Sequence, residues 1–176
     1  KPVDVKTFLI PCVMLSCRDK DEFSLLVDLH DGRIIDNIER PDGLALSKIN
    51  LPVLSPQQEK VFLVAMHLGS FRASELFSKS GMQFSEIYDM INILVGKGCL
   101  VKDNDKFKVA GNLLALSDLA QHACFEKVQY TGLKHDGLLE RKFDVDSVKA
   151  LVGKFTPISN SKECFLVHYD LTNGKS

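Results

Sequence analysis

The sequence predicts an α+β fold, and three observations carry that expectation. Residues 55–111 place apolar side chains at helical spacing, interrupted by glycines, and end in a short two-strand hairpin. Residues 1–40 alternate apolar runs with charged or glycine-containing turns, the pattern of a β-meander. Residues 112–176 read as a helix followed by strand, helix and strand.

Thr7–Ser16 is apolar and fits a first strand. Pro11 lacks a ladder donor, which places this strand at an edge or at a bulge. Arg18–Glu22 is a charged turn, Phe23–Leu29 a second strand, and Asp31-Gly32 a turn dipeptide whose glycine can take positive φ. Arg33–Ile38 returns as a third strand. Pro41, Asp42-Gly43 and Pro52 mark residues 41–54 as a linker with one apolar patch at Leu44–Leu46.

Ser55-Pro56-Gln57-Gln58 opens the central segment with an N-cap, a proline at the first helical position and a capping-box glutamine. Val61, Val64, Ala65 and Leu68 lie on one helical face, and Gly69 ends the helix. A second helix is expected from Ser70 or Phe71, with Ala73, Leu76 and Phe77 inward, and Ser80-Gly81 as its turn. The third runs from about Phe84 to Val95, burying Ile87, Met90, Ile91 and Leu94, and stops at Gly96 and Gly98. Cys99–Lys102 and Lys106–Val109 make a hairpin over Asp103-Asn104-Asp105.

Beyond it, Asn112–His122 reads as a helix and Cys124–Tyr130 as a strand. Lys134–Arg141 reads as a loop, Asp144 as the cap of a helix over Val145–Val152, and Glu163–Leu171 as a final strand. The polar lead-in and apolar run of Pro2–Ile10 are echoed faintly at Pro157–Val167, as if the two ends paired in one sheet or the chain came from a repeating one. The first residue, Lys1, and the final Asn173-Gly174-Lys175-Ser176 read as cuts from a longer protein.

Charge excludes a strong general pull toward nucleic acid or anionic lipid, because the 176 residues carry a net charge of −1. Residues 1–54 hold seven Lys/Arg against nine Asp/Glu, residues 55–111 seven against six, and residues 112–176 eight against eight. The central segment is the least acidic, by a small margin. Five cysteines, with no CxxC pair and no Cys/His cluster, read as reduced, mostly buried thiols of an intracellular protein, with a zinc site as the minor alternative. No apolar run approaches the roughly 18 residues that a membrane-spanning helix needs. A cytoplasmic location and no membrane partner are therefore expected.

No catalytic constellation is legible. His30, His67, His122, His135 and His168 are scattered, and no Gly-x-Ser-x-Gly turn is present. Gly174-Lys175-Ser176 matches the end of a phosphate-binding loop, but the earlier glycine is replaced by Tyr169. The expectation is a non-enzymatic protein with no cofactor and no metal.

The order helix, helix, turn, helix, hairpin, with Leu94-Val95-Gly96-Lys97-Gly98-Cys99-Leu100-Val101 closing the third helix, resembles the winged-helix family. That closing phrase is common in microbial winged-helix regulators, and the resemblance covers about a third of the chain. It implies a central winged helix at 55–111, flanked by the meander at 1–40 with its linker and by the segment at 112–176. It also implies a binding or transcription-regulating region of a larger microbial protein. In DNA-binding members the third helix enters the major groove. Here Gln83, Ser85, Asn92 and Lys97 would meet the duplex from that helix, and Lys102, Lys106 and Lys108 from the wing. Glu86 and Asp89 on the same helix repel phosphate. Winged helices also dock proteins, in this chain through an apolar patch including Phe71, Phe84 or Tyr88. Double-stranded DNA and a protein partner both stay open, as does a homodimer.

Overall fold

The computed structural model describes residues 3–35, 46–124 and 132–173. In chain order its elements begin with β1 (Val3–Arg18), β2 (Glu22–Asp28), β3 (Arg33–Ile35), β4 (Leu46–Asn50), α1 (Pro56–Leu68), β5 (Ser70–Phe71) and α2 (Ala73–Ser80). They continue with α3 (Phe84–Gly96), β6 (Leu100–Asp103), β7 (Lys106–Val109), α4 (Gly111–Leu114), β8 (Gly137–Leu138), α5 (Val145–Val152) and β9 (Ile158–Asn173). The fold class is α+β. The contacts divide the chain into two units, one from the described residues of Lys1–Asn50 and Asp118–Ser176, the other from Leu51–Ser117.

The first unit is built on β1. Its sheet has the order β4-β3-β2-β1-β8, with β9 on the remaining edge of β1. β9 runs antiparallel to β1 from Val3 opposite Asn173 to Cys17 opposite Ile158, a ribbon about 50 Å long. The meander expected at the N-terminus and the strand expected at the C-terminus are thus one sheet. The boundary drawn between them from sequence separated two strands that are hydrogen-bonded neighbours. Their pairing spans nearly the whole chain, and its one trace in the sequence is the faint echo of Pro2–Ile10 at Pro157–Val167, which offered pairing of the two ends as one of its two readings.

Pro11 stands in this central strand, not at an edge. Its carbonyl accepts from the Leu29 amide at 2.8 Å, as the ladder to β2 requires. The amide it lacks would have gone back to the Leu29 carbonyl, which instead accepts from the Lys142 and Phe143 amides at 2.9 and 3.0 Å. The proline is tolerated because β2 ends and β8 begins beside it, so another segment can supply the missing donor.

Part of the expected linker is also sheet. β4 pairs antiparallel with β3, Arg33 opposite Asn50, and Ile49 is buried. The Leu44–Leu46 patch and the Cys124–Tyr130 strand fall largely outside the described residues, as does Gly174-Lys175-Ser176. Val13, Leu15, Leu25, Val27 and Ile34 are fully buried, and α5 adds Val148, Leu151 and Val152 to the buried set. Asp144 caps α5 as expected: its carboxylate accepts from the Ser147 amide at 3.0 Å, and that bond holds it below the usual carboxylate range.

The second unit is helical with a small sheet. Ser55 and Gln58 form the expected capping box, the Gln58 amide donating to Ser55 Oγ at 3.3 Å and the Ser55 amide to Gln58 Oε1 at 3.0 Å. α1 buries Val61, Phe62 and Ala65, while Val64 and Leu68 are half-buried. α3 buries Ile87, Met90, Ile91 and Leu94, the set read from its periodicity. Ser70–Phe71 is not the start of α2. It is a strand, Phe71 pairing with Phe107, which gives the small sheet the order β5-β7-β6. Asn104 and Asp105 turn the β6–β7 hairpin, with Asn104 at φ 56°, a conformation its short polar side chain tolerates. The helix expected over residues 112–122 is short α4 followed by 3₁₀ turns over Ala115–His122, broken at Asp118 (φ −141°, ψ 61°) where the second unit ends.

Candidate functional site

The exposed side of α2 and α3 follows from which residues their cores claim. Ala73, Leu76 and Ser80 turn α2 inward, so Phe77 faces out, contrary to its expected inward position. Ile87, Met90, Ile91 and Leu94 turn α3 inward, which leaves Phe84, Ser85, Tyr88, Asp89, Asn92 and Ile93 outside. Phe84 and Tyr88, four residues apart, stack edge to face with centroids 5.0 Å apart. Phe77 joins them edge to face against Phe84 at 5.5 Å. The three rings are 40%, 48% and 46% exposed for Phe77, Phe84 and Tyr88. Offset and edge-to-face packing of this kind contributes about 1 kcal/mol per pair beyond area burial, so the rings are held as a cluster while their outer faces stay in water.

Phe71, expected in such a patch, is fully buried. It stacks on Phe107 at 6.2 Å because its segment is a strand of the small sheet. Phe77 was legible only from competition: on an eight-residue helix, burial of Ala73, Leu76 and Ser80 rotates position 77 off the core face.

All seven polar candidates from sequence are exposed: Gln83, Ser85, Asn92, Lys97, Lys102, Lys106 and Lys108. They do not form one basic surface. Asp89 lies between Ser85 and Asn92 on the same helical face. Gln83 is the N-cap of α3, and its amide donates to Glu86 Oε2 at 3.1 Å, which keeps an acid at the start of the helix. Lys97 Nζ donates to the Val53 carbonyl at 2.5 Å, tying it to the chain entering α1.

The hairpin register divides the remaining lysines. Val101 pairs with Lys108, Lys102 with Phe107 and Asp103 with Lys106. Side chains alternate along a strand, so Lys106 and Lys108 share a face with Asp103, while Lys102 lies on the other face beside Phe107. Lys108 Nζ is 3.0 Å from Asp103 Oδ2. Arg72, just before α2, donates through Nε and a terminal nitrogen to Asp105 Oδ2, each at 2.9 Å. Two of the cations near the hairpin are therefore already paired with acids on the hairpin itself.

The first unit gathers thiols. Cys12 and Cys124 are buried in one apolar cluster with Leu26 and Ile35, and Cys164, opposite Cys12 in register, packs against it. Burial pushes Cys12 and Cys164 upward and raises Cys17 and Cys99 to about 11. Thiols raised in this way stay protonated and unreactive near neutral pH. The five cysteines form no disulfide. Among the described residues no group of three His, Cys, Asp or Glu is arranged to hold a metal ion, and no helix is long and apolar enough to cross a membrane. Comparison with known protein families, with curated proteins and with solved structures finds no match to this chain.

Proposed function

We propose that residues 51–117 are a winged-helix module that docks a protein partner through the exposed faces of α2 and α3. The element order supports the winged-helix reading: helix, short strand, helix, helix, then a hairpin that the short strand joins as a third strand. The docking reading rests on the cluster of Phe77, Phe84 and Tyr88. Aromatic side chains held rigidly at a surface are the anchors that protein interfaces favour, since they bury much area at little entropic cost. The partner therefore presents apolar side chains to this cluster.

Duplex DNA is the second reading, and Lys102 and Lys106 favour it. Both are exposed, and neither has a carboxylate in contact among the described residues. That reading uses Gln83, Ser85 and Asn92 on α3.

Two paired variants separate the readings. Partners crosslinked to the protein in its native extract are identified and compared with those of a Phe84→Ala, Tyr88→Ala variant and a Lys102→Glu, Lys106→Glu variant. A specific partner lost with the aromatic pair and kept with the lysine pair is expected. Fluorescence polarisation with mixed-sequence duplex DNA at low salt is expected to show no binding. Binding that weakens steeply with salt and disappears with the lysine pair overturns the docking reading.

A further inference from the structure

Among the described residues, strand β9 is paired along one edge only. β1 occupies that edge from Val3 to Cys17, and among the described residues no strand pairs with the other. The carbonyls of Leu9 and Pro11 on β1 accept from Leu139 and Leu29, away from β9. Alternate residues of a strand turn their amides and carbonyls to opposite edges. Residues such as Ile10 and Cys12 therefore meet β9, and in the observed register Leu166 and Cys164 meet β1. Glu163, Phe165, Val167, Tyr169 and Leu171 turn theirs to the open edge.

The side chains of these residues also share one face, on which Phe165 and Tyr169 are each 56% exposed and Leu171 is 67% exposed. Long edge strands are ordinarily blunted by proline, bulges or brevity. β9 is sixteen residues long, contains no proline, and is regular from Asn160 onward.

We propose that β9 pairs antiparallel with β9 of a second copy of this chain, about a two-fold axis at Leu166, joining two sheets into one. Its own charge pattern selects this occupant and this register. With the axis at Leu166, Lys162 of each copy lies opposite Asp170 of the other. Asp170 already stands opposite Lys6 in the β1–β9 register, so it comes to lie between two lysines. On the other face Phe165 meets Val167 and Glu163 meets Tyr169. The outward-facing residues pair only with one another, as the ladder demands. Moving the axis to Phe165 or Val167 keeps the ladder but loses both charge pairs.

Sedimentation equilibrium of the full chain tests the proposal. A dimer is expected. Val167→Pro removes only an outward amide and leaves the β1–β9 ladder whole, so the variant keeps its circular dichroism spectrum and sediments as a monomer. Lys162→Glu weakens the dimer at least about tenfold, and adding Asp170→Lys together with Lys6→Glu, which keeps an opposite-charge pair across β1 and β9, restores it. Positions 162 and 170 lie about 27 Å apart along one strand, so only pairing between copies explains that rescue. Phe84→Ala leaves the dimer unchanged, which separates this association from the proposed docking surface. A wild-type monomer at all concentrations overturns the proposal, as does a dimer that survives Val167→Pro. A dimer that Val167→Pro abolishes but the charge pair fails to rescue overturns the register.

Discussion

Gly32 shows how much one residue can decide. It closes the turn after β2 at φ +75°, its amide donating to the Asp28 carbonyl at 3.0 Å. A Cβ there would stand 2.5 Å from the Phe143 ring. Positive φ and a blocked site act together, so Gly32→Ala is expected to destabilise the first unit by about 2–3 kcal/mol, measured as a shift in its denaturant midpoint. The turn dipeptide was legible in the sequence, but the ring against it was not, because Phe143 lies more than a hundred residues away. The same turn buries Asp28, whose carboxylate accepts from the His30 amide at 2.6 Å. Burial raises this carboxyl, with the His30 amide pulling the other way. A folded value above the unfolded one means that the folded protein holds the proton more tightly. The stabilisation is full below the ordinary carboxylate pKa of about 4 and is lost as pH rises through the folded value. Wild-type denaturant midpoints for this unit are expected to fall across that window relative to Asp28→Asn, and parallel pH profiles for the two proteins would rule the effect out.

At the scale of elements, caps and periodicity were the most legible features. Ser55 and Gln58 were read as a capping box and form one, and Asp144 was read as a cap and is one. Ser55→Ala is expected to cost the second unit about 1 kcal/mol, and thermal unfolding followed by helical circular dichroism checks it. The inward face of α3 was readable because four residues at helical spacing leave one consistent orientation. α2 was less readable: at eight residues its pattern admits Phe77 on either side of the core boundary. Ser70–Phe71 was misread as helical because a two-residue strand has no periodicity and exists only through its partner β7. The cysteines belong to the same scale. The sequence showed five thiols without a motif, and the fold buries four of them, leaving Cys164 half-buried. Cys12, Cys17 and Cys99 are expected to react with Ellman's reagent only on unfolding, and rapid labelling of the native protein would contradict that.

For the whole molecule, continuity along the chain separates the two units. The second is one uninterrupted segment with its own buried residues, so a fragment of residues 51–117 is expected to fold alone and unfold cooperatively. A fragment of residues 1–50 is expected to stay unfolded, because β1 loses β9 and β8. Circular dichroism of the two fragments tests both outcomes. The sequence by itself determined the α+β class, the helices α1, α3 and α5, the β6–β7 hairpin and the caps at Ser55 and Asp144, since these elements arise from interactions within a few residues. It also supplied Phe84 and Tyr88 as surface candidates. Only the tertiary structure decided that the two ends form one sheet, that Pro11 sits inside it and that Phe77 completes the aromatic cluster. Each of those depends on which distant segment supplies a hydrogen bond or takes up space, and local sequence does not encode the identity of a distant partner.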